Sequence, residues 1–495
     1  MSANPTNAEP RNLADLIGRA ASENPGKIAL IDGDRTLTWS ELAQAVDRFA
    51  AGVAARSLSP GDRLGLLLPN SIEFAVGYFG ALRAGLVALP LNTAYTAEEL
   101  AYQLADSSAR LVVTDAEHIE LAGEVDTLVA GSAEWSALLT ADAAAPAVTR
   151  GAEDLAVLLY TSGTSGRPKG AMLSHRALLA NLAQLARIRP SVVAADDVVL
   201  LVLPLFHVYG LNAGLGLTAY VGATGVLADR FDPVDTLALV KRTSVSNIVG
   251  APPMYVAWSM LPDLGESLAS LRLAVSGAAP LPPAVLSAMH ESTGHHVYEG
   301  YGLTETAPVL TTTLCSKVAK AGSIGQPIPG IELRLLEAGE EVDEGDPGEI
   351  VVRGANLFSG YWPDGAGAPD ADGWFATGDV AYVDEDGDLF LVDRIRELIL
   401  VSGFNVYPRE VEDVLVAHPD IAEAAVLGVP HPYTGETVKA LVVTRDGAQL
   451  SADDVIEWSA RRLARFKCPT SVDFVDELPH STTGKVAKGR LRESA

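Results

Sequence analysis

The chain has 495 residues, 48% of them hydrophobic, and a formal net charge of −27 with a pI near 4.6. A chain of this length and hydrophobic content can bury more than one core, so we expect about two to four domains or subdomains. The acidic balance argues against nucleic acid as the main partner, because phosphate backbones select basic surfaces.

The sequence shows no strong targeting or metal signal. Its two cysteines, Cys315 and Cys468, lie outside any Cys/His cluster, which argues against a disulfide scaffold or a zinc site. The first ten residues have neither a basic start nor an apolar core, so we predict a cytoplasmic protein; a homodimer stays open. Residues 198–228 are uncharged, but a proline, a histidine and five glycines interrupt them, which favours buried strand, loop and helix over a membrane span.

Helical and strand patterns alternate through the first third of the chain. The predicted elements are helix 41–56, strand 63–69, helix 72–84, strand 86–91, helix 97–106 and strand 110–115. Such alternation is typical of parallel βαβ units with helices on both faces of a sheet. Further strands are expected at 198–203, 247–251 and 271–275.

A glycine-rich loop follows the apolar run 155–159. Its candidate phosphate contacts are Thr161, Ser162, Gly163, Thr164, Ser165, Gly166 and Lys169. Glycines let backbone N–H groups close around an anion, hydroxyls donate further hydrogen bonds, and one lysine adds charge. The spacing does not fit a Walker loop, and a flexible surface turn is the alternative. Ser174 can cap a following helix to about Arg187, which would place the loop between a strand and a helix N-terminus.

The character of the chain changes in its last third. Short strands separated by Gly, Pro and Asp turns over 320–395 predict a small antiparallel β subdomain. Beyond 393 the pattern is mixed: helix 408–418, strands 421–429 and 437–444, and helix 452–463. A separate domain of about 100 residues is a natural size there.

Four further segments accompany the glycine loop in order along the chain. They are Ser276–Pro280, Glu299–Thr306, Gly373–Asp379 with Asp393-Arg394, and Ser481–Lys485. The set closely resembles the adenylate-forming (ANL) superfamily of AMP-dependent synthetases and ligases, which includes acyl-CoA synthetases, aryl-CoA ligases, peptide-synthetase adenylation domains and firefly luciferase. The resemblance covers nearly the whole chain.

The resemblance and the alternating pattern together predict an α/β protein. Its large N-terminal, AMP-binding domain (1–393) would contain parallel α/β subdomains and a small β subdomain. A smaller, mobile α+β C-terminal domain (394–495) would carry the catalytic lysine. Arg396 stands where the family often has Lys or Asp at the hinge, so the exact pivot stays open.

By the resemblance, several residues bind the nucleoside of ATP. Tyr301 offers a flat face to adenine, and Asp379 can accept both ribose hydroxyls with help from Arg394. Core packing for Tyr301 and a structural turn for Asp379 are the alternatives. The same segments supply further candidate nucleotide contacts: Gly277, Ala278, Ala279, Glu299, Gly300 and Gly302.

The resemblance also implies a two-step reaction. Thr304 would bond the α-phosphate, Glu305 would hold Mg²⁺, and Lys485 would stabilise charge as an acid carboxylate attacks MgATP. A helix cap and a solvated lysine are the alternatives. After pyrophosphate leaves, the C-terminal domain would rotate so that the thiol of coenzyme A reaches the acyl-adenylate past Gly403.

The basic residues near the C-terminus have two interpretations. Arg461, Arg462, Arg465 and Lys467 could meet the phosphates of coenzyme A, or they could form a solvated helix face.

The acid is predicted from the segment Pro204–Gly210. His207 stands where amino-acid-activating relatives carry an aspartate for the substrate ammonium, so an amino acid is disfavoured. His207 could instead close over the reacting carboxylate, or be a hydrogen-bonded core histidine. The predicted acid pocket runs from His207, Tyr209, Gly210 and Leu211 through Gly250, Met254 and Val275 to Gly300 and Gly302. Its apolar, glycine-containing lining favours medium- or long-chain fatty acids.

Three other functions stay open. An aryl-CoA ligase of the coumarate, benzoate or succinylbenzoate type is the first alternative, and an acyl-AMP ligase that loads a carrier protein is the second. A non-catalytic acyl or nucleotide binder is the third, although Lys485 and Glu305 argue against it.

Overall fold

The computed structural model describes residues 10–56, 58–140, 145–146, 148, 150–161, 168–394, 397, 399–401, 404–431, 435–480, 486–488 and 490–491. The chain divides into two compact units. The first contains Met1–Glu332 and Arg353–Phe375, and the second contains Leu333–Val352 and Ala376–Ala495. The small β region thus belongs largely with the C-terminal residues, while the division predicted at 393/394 stays a prediction.

Two helices of the first unit, α2 (Trp39–Ala54) and α4 (Ala97–Ser107), begin at threonines that cap them. Thr38 and Thr96 each form a reciprocal capping box with a glutamate three residues later, which satisfies N–H groups at the helix start. The helices are α1 (Asp15–Glu23), α2 (Trp39–Ala54), α3 (Ile72–Arg83), α4 (Ala97–Ser107), α5 (Ala133–Thr140), α6 (His175–Ala186), α7 (Leu217–Val221), α8 (Pro233–Thr243), α9 (Pro252–Ser259), α10 (Leu264–Ser267) and α11 (Pro283–Thr293).

The strands of the first unit form two sheets. They are β1 (Ile28–Asp32), β2 (Arg35–Thr38), β3 (Arg63–Leu67), β4 (Val87–Pro90), β5 (Leu111–Thr114), β6 (Thr127–Val129), β7 (Leu155–Thr161), β8 (Lys169–Ser174), β9 (Val198–Leu201), β10 (Thr224–Leu227), β11 (Asn247–Gly250), β12 (Leu273–Ser276), β13 (Val297–Gly302), β14 (Val309–Thr312) and β15 (Gln326–Pro327). One sheet has the order β6-β5-β3-β4-β7-β8, and the other has the order β15-β14-β13-β12-β11-β9-β10-β1-β2. Parallel pairing through the centre of both sheets confirms the α/β class.

The predicted place of the glycine-rich loop was wrong in one respect. β7 pairs antiparallel with β8, with Thr161 opposite Lys169, so a strand and not a helix follows the loop in the chain. Ser174 does cap α6 as predicted, but it does so after β8. A helix dipole therefore cannot be assigned to the loop.

The uncharged stretch 198–228 forms buried elements, as predicted. β9 and β10 enclose a π-helix, Tyr209–Gly216, followed by α7. Among the described residues, no helix is long and apolar enough to cross a membrane.

The second unit contains two small sheets and two helices among its described residues. The strands are β16 (Glu332–Glu337), β17 (Glu340–Glu341), β18 (Gly348–Arg353), β19 (Trp374–Val383), β20 (Leu389–Arg394), β21 (Ile399–Val401), β22 (Phe404–Val406), β23 (Ile421–His431), β24 (Gly435–Thr444) and β25 (Ser471–Phe474), and the helices are α12 (Pro408–Val416) and α13 (Ala452–Ala460). The pairs β16–β17 and β19–β20 are antiparallel, as predicted for the small β region.

Candidate functional site

Two of the predicted nucleotide segments lie at the carboxyl ends of neighbouring parallel strands. β12 pairs with β13 so that Ser276 lies opposite Glu299. The segments that follow, Gly277–Ala279 and Gly300–Gly302, therefore begin at the same edge of the sheet. In open α/β sheets this edge is where ligands bind.

Glu299 holds the turn that follows β12. Its buried carboxylate accepts a hydrogen bond from the Leu281 N–H at 2.9 Å. Ala278 in the same turn has a φ of +73°, a conformation that costs energy for a residue with a Cβ. The carboxylate thus fixes a turn of strained backbone near the predicted adenine site.

The turn with Thr304 and Glu305 is held close to β14. A Cβ on Gly302 would lie 1.8 Å from the Pro308 carbonyl oxygen, so only glycine allows this approach. The buried Asn356 amide donates to the Thr306 carbonyl at 2.6 Å. The position of Glu305 is therefore fixed from both sides of the turn.

A later segment, residues 358–362, extends the sheet beyond β8. Met172 N–H donates to Gly360 O at 3.0 Å, Ser359 N–H donates to Met172 O at 2.9 Å, and Trp362 N–H donates to Gly170 O at 2.8 Å. This pairing brings residue 361 next to the start of β8, where Lys169 lies.

Tyr361 joins the predicted phosphate and metal residues. Its hydroxyl donates to Glu305 Oε1 at 2.5 Å, and Lys169 Nζ lies 5.3 Å from the centre of its ring. The sequence reasoning missed Tyr361. The only local signal is an aromatic pair, Tyr361-Trp362, after a glycine.

Glu305 fits a metal that arrives with a nucleotide. Within the described part of the chain, no group of three or more His, Cys, Asp or Glu side chains could hold a metal ion. Mg²⁺ is commonly held by one or two carboxylates plus substrate phosphates, and does not need a protein cage. A single carboxylate, fixed by Tyr361, suits that arrangement.

The predicted acid pocket contains less free space than its glycines suggest. A Cβ on Gly250 would lie 2.8 Å from the Tyr255 hydroxyl oxygen, and a Cβ on Gly277, a predicted nucleotide contact, would lie 3.0 Å from the ring of the pocket residue Tyr209. Tyr255 is fully buried and donates to Val275 O at 2.7 Å, and burial raises its pKa well above the usual value. These glycines therefore accommodate tyrosine rings.

His207 lies two residues before the π-helix that starts at Tyr209. Its Nδ1 accepts the Tyr209 N–H at 3.3 Å. Asn70, which the sequence reasoning missed, holds the preceding loop: its amide donates to Leu203 O at 2.9 Å and its Oδ1 accepts the Leu205 N–H at 2.9 Å. The loop that precedes His207 is thus anchored to Asn70, which follows β3 in the chain.

In the second unit, Asp379 is buried in β19. Its N–H donates to Thr377 Oγ1 at 3.1 Å, and the preceding Gly378 has a φ of +77°. Asp379 lies opposite Arg394 of β20. The structure therefore places the two predicted ribose residues on paired strands.

Several predicted residues lie outside the described residues. They are Ser162, Gly163, Thr164, Ser165, Gly166, Arg396, Gly403 and Lys485. Lys488, three residues after Lys485, is anchored by two carboxylates: its Nζ lies 2.8 Å from Glu412 Oε1 and 3.1 Å from Glu397 Oε2.

The predicted coenzyme A contacts have partners within the second unit. Lys467 Nζ donates to both oxygens of Glu410 at 2.7 Å, Arg461 pairs with Glu457, and the Arg462 guanidinium lies 3.3 Å from the Trp458 ring centre. These contacts favour the solvated helix face over a phosphate site.

Two family models match the chain. One, described as AMP-binding enzyme, covers residues 17–362, and the other, described as AMP-binding enzyme C-terminal domain, covers residues 410–485. Together they span both units.

Similar proteins cover nearly the full length. A feruloyl-CoA synthase from Amycolatopsis sp is 38% identical, over 96% of this chain and 97% of that protein. A long-chain-fatty-acid–CoA ligase from Bacillus subtilis is 33% identical, over 98% of this chain and 94% of that protein. The crystal structure of ATP-bound MatB from Rhodopseudomonas palustris superposes with a TM-score of 0.89 at 36% identity, covering 98% of this chain and 99% of that chain.

Proposed function

Because the chain belongs to the AMP-binding enzyme family and is an AMP-forming, ATP-dependent acid–CoA ligase, we propose that the acid it activates is a compact aryl acid. The observation that carries this proposal is the packing of Tyr209 and Tyr255 against Gly277 and Gly250. The rings fill space that a long acyl chain would need. The ring of Tyr209, which is only partly buried, also offers a flat face on which an aromatic acid can stack.

The first half-reaction would depend on four of the predicted residues. Lys169 would steady the phosphates that leave as pyrophosphate, Thr304 would bond the α-phosphate, and His207 would close over the acid carboxylate. As the carboxylate oxygen attacks the α-phosphorus, its bond to the bridging oxygen breaks and pyrophosphate leaves. Lys485 would stabilise the charge that develops between the two reactants.

The nucleoside would be held by three of the predicted residues. Tyr301 would stack on adenine, and Asp379 with Arg394 would bind the ribose hydroxyls. Glu305 would hold Mg²⁺, which supplies charge neutralisation at the phosphates when it is bound.

In the second half-reaction, the thiolate of coenzyme A would attack the acyl carbonyl and AMP would leave. By the family resemblance the narrow pantetheine arm would pass Gly403, because a residue without a side chain would leave room for it. As in the family, rotation of the C-terminal domain would withdraw Lys485 from the acyl-adenylate and let the thiol of coenzyme A reach it.

A medium- or long-chain fatty acid is the second candidate. The predicted lining residues Tyr209, Leu211, Met254 and Val275 are uncharged, which suits an alkyl tail. The similarity to the Bacillus subtilis long-chain-fatty-acid–CoA ligase also favours this candidate.

Pyrophosphate release across a panel of acids tests the proposal. Ferulic, benzoic, octanoic, palmitic and malonic acids would each be assayed with MgATP, with and without coenzyme A. We expect the highest kcat/KM for an aryl acid, and the Lys485→Ala protein serves as the inactive control. A higher kcat/KM for palmitic acid would contradict the aryl proposal and favour the second candidate. Transfer to a carrier protein without transfer to free coenzyme A would overturn the proposed acceptor.

A further inference from the structure

We propose that Tyr361 is a positioning residue that ties the metal-binding carboxylate of Glu305 to the phosphate-binding Lys169. The inference rests on the proposed function, because it takes both residues to face the phosphates of ATP. It adds to that function a side chain that sets the geometry of the magnesium–nucleotide complex.

Tyr361 contacts both charged groups at once. The hydroxyl lies 2.5 Å from Glu305 Oε1, and the ring face lies 5.3 Å from Lys169 Nζ. A hydrogen bond from a neutral hydroxyl to a carboxylate is stronger than one between neutral groups. A cation over an aromatic face is attracted by the negative face of the ring. One side chain therefore orients an anion and a cation that are 136 positions apart in sequence.

The ring of Tyr361 is itself held in place. The main-chain N–H of Tyr361 donates to Ala366 O at 2.8 Å, and the Gly365 N–H donates to Tyr361 O at 2.8 Å. The Phe358 ring meets it edge to face at 5.1 Å. A Cβ on Gly367 would lie 3.1 Å from the ring, so the turn packs closely against its other side.

The same segment also fixes the backbone of Glu305. The Phe358 N–H donates to Glu305 O at 2.9 Å. Glu305 is thus held through its main chain by residue 358 and through its side chain by residue 361. With Oε1 engaged by the hydroxyl, the carboxylate presents Oε2 in a fixed direction, which favours one-oxygen binding of a metal that keeps its phosphate and water ligands.

The test measures metal binding in the absence of any acid. Mn²⁺ replaces Mg²⁺ as the probe, and electron paramagnetic resonance reports its binding with α,β-methylene ATP, which cannot release pyrophosphate. Tyr361→Phe keeps the ring and removes the hydroxyl. We expect it to weaken Mn²⁺–nucleotide binding about tenfold, the size expected for one hydrogen bond to a charged group. Binding of the nucleotide without metal should change less than about twofold, because the ring under Lys169 remains.

A matched control and a double variant separate positioning from general stability. Tyr220→Phe removes a hydroxyl from a ring that also carries a cation, since the Arg19 guanidinium lies 4.7 Å from its centre, and it should leave Mn²⁺ binding unchanged. In a Glu305→Gln background, Tyr361→Phe should have no further effect on Mn²⁺ binding. Tyr361→Leu should additionally weaken nucleotide binding without metal.

Three results would overturn the proposal: unchanged Mn²⁺ binding in Tyr361→Phe, additive losses in the double variant, or equal losses with and without metal. If no acid releases pyrophosphate in the unsubstituted protein but Mn²⁺ binding still depends on Tyr361, the proposed function fails and the positioning role stands. If pyrophosphate is released and Tyr361→Phe does not change Mn²⁺ binding, the proposed function stands and the positioning role of Tyr361 fails.

Discussion

Asp379 lies directly opposite Arg394 in the antiparallel ladder of β19 and β20. Facing residues of such a ladder have Cα atoms about 4.5–5.5 Å apart. Two positions that are 15 apart in sequence, and that the family resemblance assigns to one sugar, are therefore neighbours across a single pair of strands.

We expect Asp379→Asn to raise the KM for ATP by about 10- to 100-fold, because a hydrogen bond to a charged group contributes about 1.5–3 kcal/mol. Steady-state pyrophosphate release at varied ATP measures the change. Asp386→Asn, in an exposed turn of the same unit, is the matched control and should leave this KM unaltered. An unchanged KM in Asp379→Asn would remove the residue from the ribose site.

Lys485→Ala should reduce adenylate formation by at least about 100-fold, because loss of one electrostatic contact to the transition state has effects of this size. Conversion of a preformed acyl-adenylate to the thioester should be retained. Pyrophosphate release measures the first step, and chromatography of the acyl-CoA product measures the second. Lys317→Ala, at an exposed position, should alter neither step. Equal loss of both steps would show that Lys485 does not act in adenylation alone.

Tyr209→Ala should widen the acid pocket by removing the ring that packs on Gly277. Each methylene that can then be buried contributes about 0.8 kcal/mol. We expect the ratio of kcat/KM for decanoic acid over ferulic acid to rise at least about tenfold, a free-energy change of about 1.4 kcal/mol. Tyr382→Ala removes a partly exposed ring of β19 and should leave the ratio of kcat/KM values as it is in the parent protein. A ratio that stays constant in Tyr209→Ala would show that the ring does not limit chain length.

Burial, with Arg150 nearby, lowers the pKa of His175 to about 4, and the Leu13 N–H donates to its Nδ1 at 3.3 Å. Above pH 6.5 the His175 ring is neutral in both folded and unfolded protein, so its burial costs no deprotonation and the protein keeps its full stability. Between about pH 6.5 and 4 the unfolded chain binds a proton that the folded protein excludes, and the free energy of unfolding should fall by about 3 kcal/mol in total.

Urea unfolding at a series of pH values checks this prediction. His175→Asn keeps a hydrogen-bond acceptor but cannot titrate, so its loss of stability in that window should be smaller. His290→Asn, at the exposed end of α11, should show the pH-dependent loss of the parent protein. If His175→Asn follows the parent protein throughout, another group is responsible.

Local patterns predicted the elements well where caps and apolar spacing agree. The helix predicted over 97–106 is α4, which starts behind the Thr96 capping box, and the strand predicted over 63–69 is β3. The C-terminal helix predicted over 408–418 is α12. Each of these depends on contacts within a few residues, which the sequence shows directly.

The site was predicted less completely, because its decisive contacts join distant residues. Tyr361 and Glu305 are 56 positions apart, and no local period marks the pair. β8 was missed because its short run, Lys169–Ser174, includes a glycine and follows a loop-like segment. Gly250 was interpreted as free space in the acid pocket and Gly277 as a nucleotide contact, although a tyrosine ring packs on each of them.

The hydrogen bonds between residues 359–362 and the pair Gly170 and Met172 also bear on aggregation, because they use backbone groups at the end of a sheet. β8 ends the order of strands in its sheet, and an uncovered strand of that kind can pair with another chain. Here the protein's own later segment occupies those backbone groups. The segment that positions Tyr361 therefore also prevents a strand of another molecule from pairing with β8 at these positions.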